Sequence, residues 1–395
     1  MQKRPAYILP LIIISQFAGT SLWFAGNAIL PDIQQELNLQ ANALGNITAV
    51  VQFGFIAGTL LFAIFSLADR FPSSKVFFFS SVIAALANVS IIWLAKNTTT
   101  LFLLRFITGF FLAGIYPVGM KIAADWYDKR LGKALGYLVG ALVLGTAFPH
   151  LLKSNLYSLP WKLVLIFTSA FAVLGGLLIL LFVGDGPYRK PASGFHPSAI
   201  LKIFSSADFR SAAFGYFGHM WELYTFWAFT PIILSFYVSH NHSLNVPLWS
   251  FIIIGIGSLS CVAGGYLSQT IGSSRVAFYS LLCSGLCCLM SVAFFQLPPL
   301  FFVLLMVIWG AMVIADSPQF STLVAQTAIA EYKGTALTIV TSIGFAITIG
   351  SIQLISHAFN TWANPKSVLA LLAPGPLFGL LYLYRLVATD KPGKS

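Results

Sequence analysis

The sequence predicts an all-α membrane protein: twelve transmembrane helices in two pseudo-symmetric six-helix bundles, with both termini cytoplasmic. Three observations predict it. Of 395 residues, 58% are hydrophobic and 8% charged, whereas a soluble domain carries about 25% charged residues. Apolar runs long enough to span a bilayer (~17–25 residues) recur along the whole chain. The second half also repeats features of the first at an offset near 200 residues.

The apolar segments 1–6 fall at roughly 7–30, 44–67, 76–95, 100–124, 134–152 and 161–183, and segments 7–12 at roughly 211–238, 248–269, 276–296, 300–325, 335–357 and 367–388. Segment 1 is too long for a signal-peptide core and lacks a small-residue cleavage site, so it is expected to remain in the protein. The one long polar connection, "GDGPYRKPASGFHPSAILKIFSSADFR", has the Pro, Gly, Ser and basic content of a cytoplasmic linker. It divides the chain into an N-terminal bundle (1–183), a linker (184–210) and a C-terminal bundle (211–395).

Charge fixes the expected orientation. Of the twenty-two Lys and Arg, a cytoplasmic N-terminus leaves Lys96, Lys153, Lys162 and Lys366 outside and puts Arg105 within a span. The other seventeen fall inside, as the positive-inside rule requires. This bias accounts for the net charge of +11, so no nucleic-acid partner is implied. The expected location is the cell membrane, plasma or inner. Cys261, Cys283, Cys287 and Cys288 all lie in segments 8 and 9, which argues against a disulfide framework and suits packing. His240 and His242, in "HNHS", read as a solvated turn. No metal site or cofactor is expected.

The halves repeat in register with segment order. "FSLADRFPSSK" (65–75) lies over "GYLSQTIGSSR" (265–275), each between the second and third segment of its half. Pro117 meets Pro318, and "GKAL" (132–135) meets "GTAL" (334–337). Duplicated bundles of this kind are the usual build of secondary transporters.

At these residues the chain resembles the major facilitator superfamily over nearly its whole length. The family's loop 2–3 motif is met by Asp69, Arg70 and Lys75, with Phe65 and Pro72 in place of its glycines. The second copy keeps Gly265, Gly272 and Arg275 and has Gln269 in place of the acid. The resemblance implies that these residues form a cytoplasmic gate, a latch of charge and helix dipole. Arg105 and Gly109 match the family's segment 4 motif, which ties Arg105 to proton coupling. The segment 5 antiporter motif, G-P-x-x-G-G at its core, is met only by Gly140, Gly145 and Pro149. The stretch "AGIYPVGMKIAADWYDKRLGKALG" (113–136) is instead similar to anion-transporting branches.

In this family segments 1, 4, 7 and 10 line the cavity between the halves, and these four carry the least oil-like residues here. Glu222 and Asp316 are the only carboxylates placed deep in spans, where ionisable groups are costly and mark function. His219 is three residues from Glu222, so on a helix the two share one face. Glu222, His219, Asp316 and Arg105 are therefore the candidate proton-coupling residues. Glu222→Gln is expected to abolish coupling in a folded protein. Trp23, Asn27, Tyr116, Trp227 and Gln319 are the candidate substrate-binding residues. "GFIAG" (54–58) and "GYLVG" (136–140) are small-xxx-small patterns, read as sliding surfaces between the halves.

These features predict a proton-coupled secondary transporter that moves a small solute, leaning to an organic anion, by alternating access. Its partners are the solute, protons and the bilayer, and a monomer is expected. Proton-driven efflux of amphipathic drug-like compounds is the alternative. A transition-metal or metallophore reading would need His219, Met220, Glu222 and Asp316 to converge. An intramembrane enzyme is disfavoured, because the chain has no HExxH, G-x-S-x-G or paired-Asp motif. No P-loop supports an ATP-driven pump.

Overall fold

The computed structural model describes residues 5–389, apart from 38, 40–41, 128–130, 155–158, 190–195, 197–198, 240–242 and 363–364. The predicted "HNHS" turn with His240 and His242 lies outside the described residues, as do Lys3, Arg4, Lys129, Arg130, Lys190, Lys391 and Lys394. Among the described residues every regular element is helical. The first half runs α1 (Ile8–Thr20), α2 (Ala25–Ala28), α3 (Leu30–Leu37), α4 (Ala43–Ile64), α5 (Leu67–Arg70), α6 (Ser73–Leu94), α7 (Thr98–Leu112), α8 (Tyr116–Trp126), α9 (Leu131–Lys153) and α10 (Trp161–Leu178). After the short α11 (Ile200–Ile203) come α12 (Ala207–Val238), α13 (Val246–Ile271), α14 (Ser273–Phe294), α15 (Pro299–Ala315), α16 (Ser317–Thr327), α17 (Lys333–Thr361) and α18 (Pro374–Thr389).

Ten helical stretches are long and apolar enough to cross a membrane: α4, α6, α7 with α8, α9, α10, α13, α14, α15 with α16, α17, and α18 with the turn before it. The other two expected spans differ for opposite reasons. Segment 1 is not one helix. Its apolar part, α1, has 13 residues, and the chain turns at Ser21–Phe24 before α2. Segment 7 is continuous and long, the 32 residues of α12, but its Gly, Tyr, His and Glu content makes it less apolar than the rest.

Segments 4 and 10 break at matching places. α7 stops at Leu112 and α8 starts at Tyr116 with Pro117 in its first turn. α15 stops at Ala315 and α16 starts at Ser317 with Pro318 in its first turn. Proline has no N–H to give and its ring clashes with the carbonyl four residues back, so a helix restarts there rather than running through. Asp316 is the joint of the second break.

The two copies of the loop 2–3 motif turn differently. In the second, α13 runs to Ile271 and the chain reverses at Gly272, with φ +89°. Pro72 stands at the matching place in the first copy and cannot take a positive φ. The left-handed turn moves instead to Ser66, φ 50°, and the extra turn α5 fills the gap.

The helices pack mainly in two groups, α1–α10 and α12–α18, joined along two seams: α4 against α17 and α9 against α13. The glycine pattern in α4 does not belong to a seam. Gly54 and Gly58 lie on the backbone of α7 at Phe106 and Phe110, and Gly109 lies on α4 at Val51, too close in each case for a Cβ. Those glycines lock two helices of one bundle, which corrects their expected role as a sliding surface. Gly140 does meet the other bundle: a Cβ there would stand 3.1 Å from the Ser258 carbonyl oxygen on α13.

Candidate functional site: the break in α15/α16 and the seams beside it

Arg105 is fully buried on α7. Its Nη1 donates to the Leu22 carbonyl at 3.2 Å and to Asn88 Oδ1 at 3.2 Å, and its Nη2 donates to the Trp23 carbonyl at 2.5 Å. The turn at Ser21–Phe24 frees these carbonyls from helical bonding, and the end of a helix carries partial negative charge. Arg105 thus fits the break in segment 1 and holds it.

Trp23, released into the centre by that break, stacks on Tyr224 of α12 (5.6 Å, 28°) and Phe345 of α17 (5.7 Å, 22°). Phe55 packs on Phe345 at 4.5 Å, and Trp227 packs edge-on to Phe24 at 6.3 Å. These buried rings come from both bundles and plug the middle of the molecule. Trp23 Nε1 donates to Gln52 Oε1 at 3.2 Å, and Asn27 Nδ2 donates to Thr48 Oγ1 at 2.8 Å. Trp227 Nε1 and Asn27 Oδ1 are buried without a hydrogen-bond partner. Tyr116 opens α8 and is half-buried.

His219 and Glu222 do not form one site. Three residues advance a helix by about 300°, and the remaining 60° sends the two side chains to different neighbours. Glu222 Oε1 accepts from Trp309 Nε1 at 2.6 Å and Cys288 Sγ at 3.2 Å, and its Oε2 is 2.9 Å from Ser284 Oγ. This network lies between α12, α14 and α15. His219 turns instead to the break before α16, where its Nδ1 lies 2.9 Å from Asp316 Oδ1. His219 Nδ1 is thus the side-chain partner of Asp316 Oδ1, while His219 Nε2 is buried without a hydrogen-bond partner. Both residues are buried, and the Phe320 ring lies 5.6 Å from the His219 ring. The convergence that a metal reading needs does not form: among the described residues no three His, Cys, Asp or Glu side chains come together.

Two cavities open at the end of the molecule that carries loops 65–75 and 265–275. The first, about 200 Å³, ends the α4–α17 seam and is lined by Asp69, Pro117, Lys121, Gly334, Thr335 and others. Asp69 pairs within its own bundle, 2.8 Å from Lys121 Nζ, which also lies 3.8 Å from Asp125. The cavity separates Asp69 from the first turn of α17. Arg189 of the linker donates to the carbonyls of Asp69 (2.8 Å) and Phe71 (2.7 Å), and Asp185 accepts from Ser74. Arg70 and Lys75 are exposed, and Arg275 is half-buried. The second cavity, about 630 Å³, ends the α9–α13 seam, with Gly265 and Gln319 in its wall. At the opposite end Gln353 Nε2 donates to Asn46 Oδ1 at 3.1 Å across the α4–α17 seam.

Sequence reasoning missed the donors around Glu222. Trp309 carried a signal, being a polar-tipped ring in mid-segment, whereas Ser284 and Cys288 carried none. It also missed Asn88, the side-chain acceptor for Arg105.

Helices broken at the centre, two seams and cavities open at one end are the build of a membrane transporter. The profile of the Major Facilitator Superfamily matches residues 11–352, and the chain belongs to that family. It is an integral multi-pass membrane protein. The niacin transporter NiaP of Acinetobacter baylyi is 36% identical over 113 residues, 26% of this chain and 25% of that protein. The chain thus spans about a quarter of the length of the curated relative it matches. The crystal structure of the human organic anion transporter MFSD10 (TETRAN) superposes with a TM-score of 0.74 at 15% identity, over 96% of this chain and 100% of that one. At that identity the likeness concerns the fold alone.

Proposed function

We propose that the protein is a proton-coupled secondary transporter of a small organic anion, and that the Asp316–His219 pair carries the coupling proton. The observation that supports this most is the state of Asp316. Its carboxylate is buried at a helix break, 2.9 Å from His219 Nδ1, and Pro318 and Gln319, two and three residues on, line the larger cavity. A buried carboxylate paired with a histidine within a turn of a cavity is placed to load and release a proton. Glu222 has three donors and lies away from both cavities, so its part is to tie α12 to α14 and α15.

In this reading twelve spans form two bundles, 1–183 and 211–395, joined by the linker 184–210. α1 with its broken continuation and α12 complete the count, and both termini and both cavities are cytoplasmic in a cell membrane. The protein works as a monomer, open inward in this state, with Arg105 holding the broken segment 1 and Trp23, Asn27, Tyr116 and Trp227 walling the central site. Asp69, Arg70, Lys75, Gly265, Gly272 and Arg275 form the cytoplasmic gate, unlatched here. The anion preference rests on the words "niacin" and "organic anion" in the names of two similar proteins.

The test is compound-evoked proton flux in proteoliposomes holding a pH dye, over a panel of organic anions and lipophilic cations. An anion should evoke flux in the wild type. Asp316→Asn should lose it at least tenfold while still binding the anion, and Glu222→Gln should keep it. Flux that survives Asp316→Asn and vanishes with Glu222→Gln would move the proton to Glu222. Flux evoked by cations alone would favour drug efflux.

A further inference from the structure

We infer that Gln52 and Asn27 form the head-group edge of the central site, a donor and an acceptor that together take a planar neutral group, either a protonated carboxyl or a primary carboxamide. This deepens the anion reading above and rests on it, since an organic anion that takes up a proton becomes such a group. The edge is built from two rungs between segment 1 and α4. Trp23 Nε1 donates to Gln52 Oε1 at 3.2 Å, and Asn27 Nδ2 donates to Thr48 Oγ1 at 2.8 Å. Trp23 and Asn27 are four residues apart, as are Gln52 and Thr48. The rungs therefore lie about one helical turn apart, ~6 Å.

Each rung fixes which atom of its amide is left over. An indole N–H can only donate, so Gln52 turns its oxygen to Trp23 and leaves Nε2 free. The Thr48 hydroxyl gives its one proton to the Leu44 carbonyl at 2.8 Å, so it accepts from Asn27 and leaves Oδ1 free. Gln52 Nε2 and Asn27 Oδ1 are both buried without a hydrogen-bond partner among the described residues. Unmatched buried amide atoms are costly, and a ligand that supplies both partners removes that cost. A carboxamide or a protonated carboxyl does so, its carbonyl accepting from Gln52 and its N–H or O–H donating to Asn27. A carboxylate has no donor and would set its charge against Asn27 Oδ1. Arg105 does not offset that charge, because its Nη groups are held by the Leu22 and Trp23 carbonyls and by Asn88. All four rung residues belong to the first bundle, whereas Tyr224 and Phe345, the rings stacked on Trp23, belong to the second. Parting of the bundles thus uncovers the edge without breaking a rung, and it leaves the Trp23 ring as a flat face for an aromatic ligand.

The experiment is equilibrium binding of benzamide, N,N-dimethylbenzamide and benzoate to the full-length protein in nanodiscs. The dimethyl compound keeps the carbonyl and has no N–H. Wild type should therefore bind benzamide about tenfold more tightly, the scale of one buried acceptor left unpaired. Asn27→Leu should abolish that preference, because the acceptor is gone. Gln52→Met should weaken both amides by a like factor, because both use the donor. A general loosening of the fold would not separate the two ligands in this way. Benzoate binding with no preference between the amides in the wild type would overturn the edge and leave the anion reading standing, whether or not either variant folds. A preference that survives Asn27→Leu would be steric and would overturn the edge as well. A wild type that binds none of the three would overturn the anion reading and the edge together.

Discussion

A guanidinium with no exposure inside a bundle needs acceptors, and Arg105 finds them in two carbonyls and an amide oxygen rather than a carboxylate. Each carbonyl it serves has lost its helical partner, so removing the donor leaves buried acceptors unmatched, at about 1–3 kcal/mol apiece. Arg105→Met keeps most of the length and none of the donors. It should lower the melting temperature by several degrees, read as the point where buried Cys261 and Cys288 become reactive to a thiol dye. Arg105→Lys keeps the charge but not the planar fork and should fall between. An unchanged melting temperature in Arg105→Met would show that water serves Leu22 and Trp23 instead.

Among the elements, the glycines separate packing within a bundle from packing between bundles. Gly109 lies on the α4 backbone in its own bundle, and Gly140 faces α13 across a seam. A leucine at Gly109 overpacks the bundle, by roughly 1–3 kcal/mol or more, whereas one at Gly140 meets a seam that can part to relieve it. Gly109→Leu should lower the yield of monodisperse protein. Gly140→Leu should leave yield and melting temperature close to wild type and slow transport several-fold. Equal loss of yield in both would mean that the seams are as rigid as the bundles. Sequence alone exposed both glycine pairs but could not say which neighbour each met, because spacing fixes a helix face and not what lies against it. The same limit hid the partners of Glu222 and His219, on a shared face by spacing yet 60° apart in space. The breaks at Pro117 and Pro318 were legible because proline acts locally. The break at Ser21–Phe24 was not, since no proline marks it and a distant residue, Arg105, sustains it.

For the whole molecule, the two ends make one claim. If the bundles rock, the contact between Asn46 and Gln353 at one end must part once in every cycle while the two cavities at the other end collapse. Closing either end for good should stop transport, because binding energy can only bias an exchange that remains possible. Asn46→Cys with Gln353→Cys places two thiols across the α4–α17 seam. Oxidation should crosslink them and cut uptake into proteoliposomes to background, with recovery on reduction. Each single variant, treated alike, should transport as before. Substrate binding from the open end should survive the crosslink, since both cavities lie on that side. Uptake that continues through a complete crosslink would mean that the α4–α17 seam stays shut throughout, and that passage runs along the α9–α13 side alone.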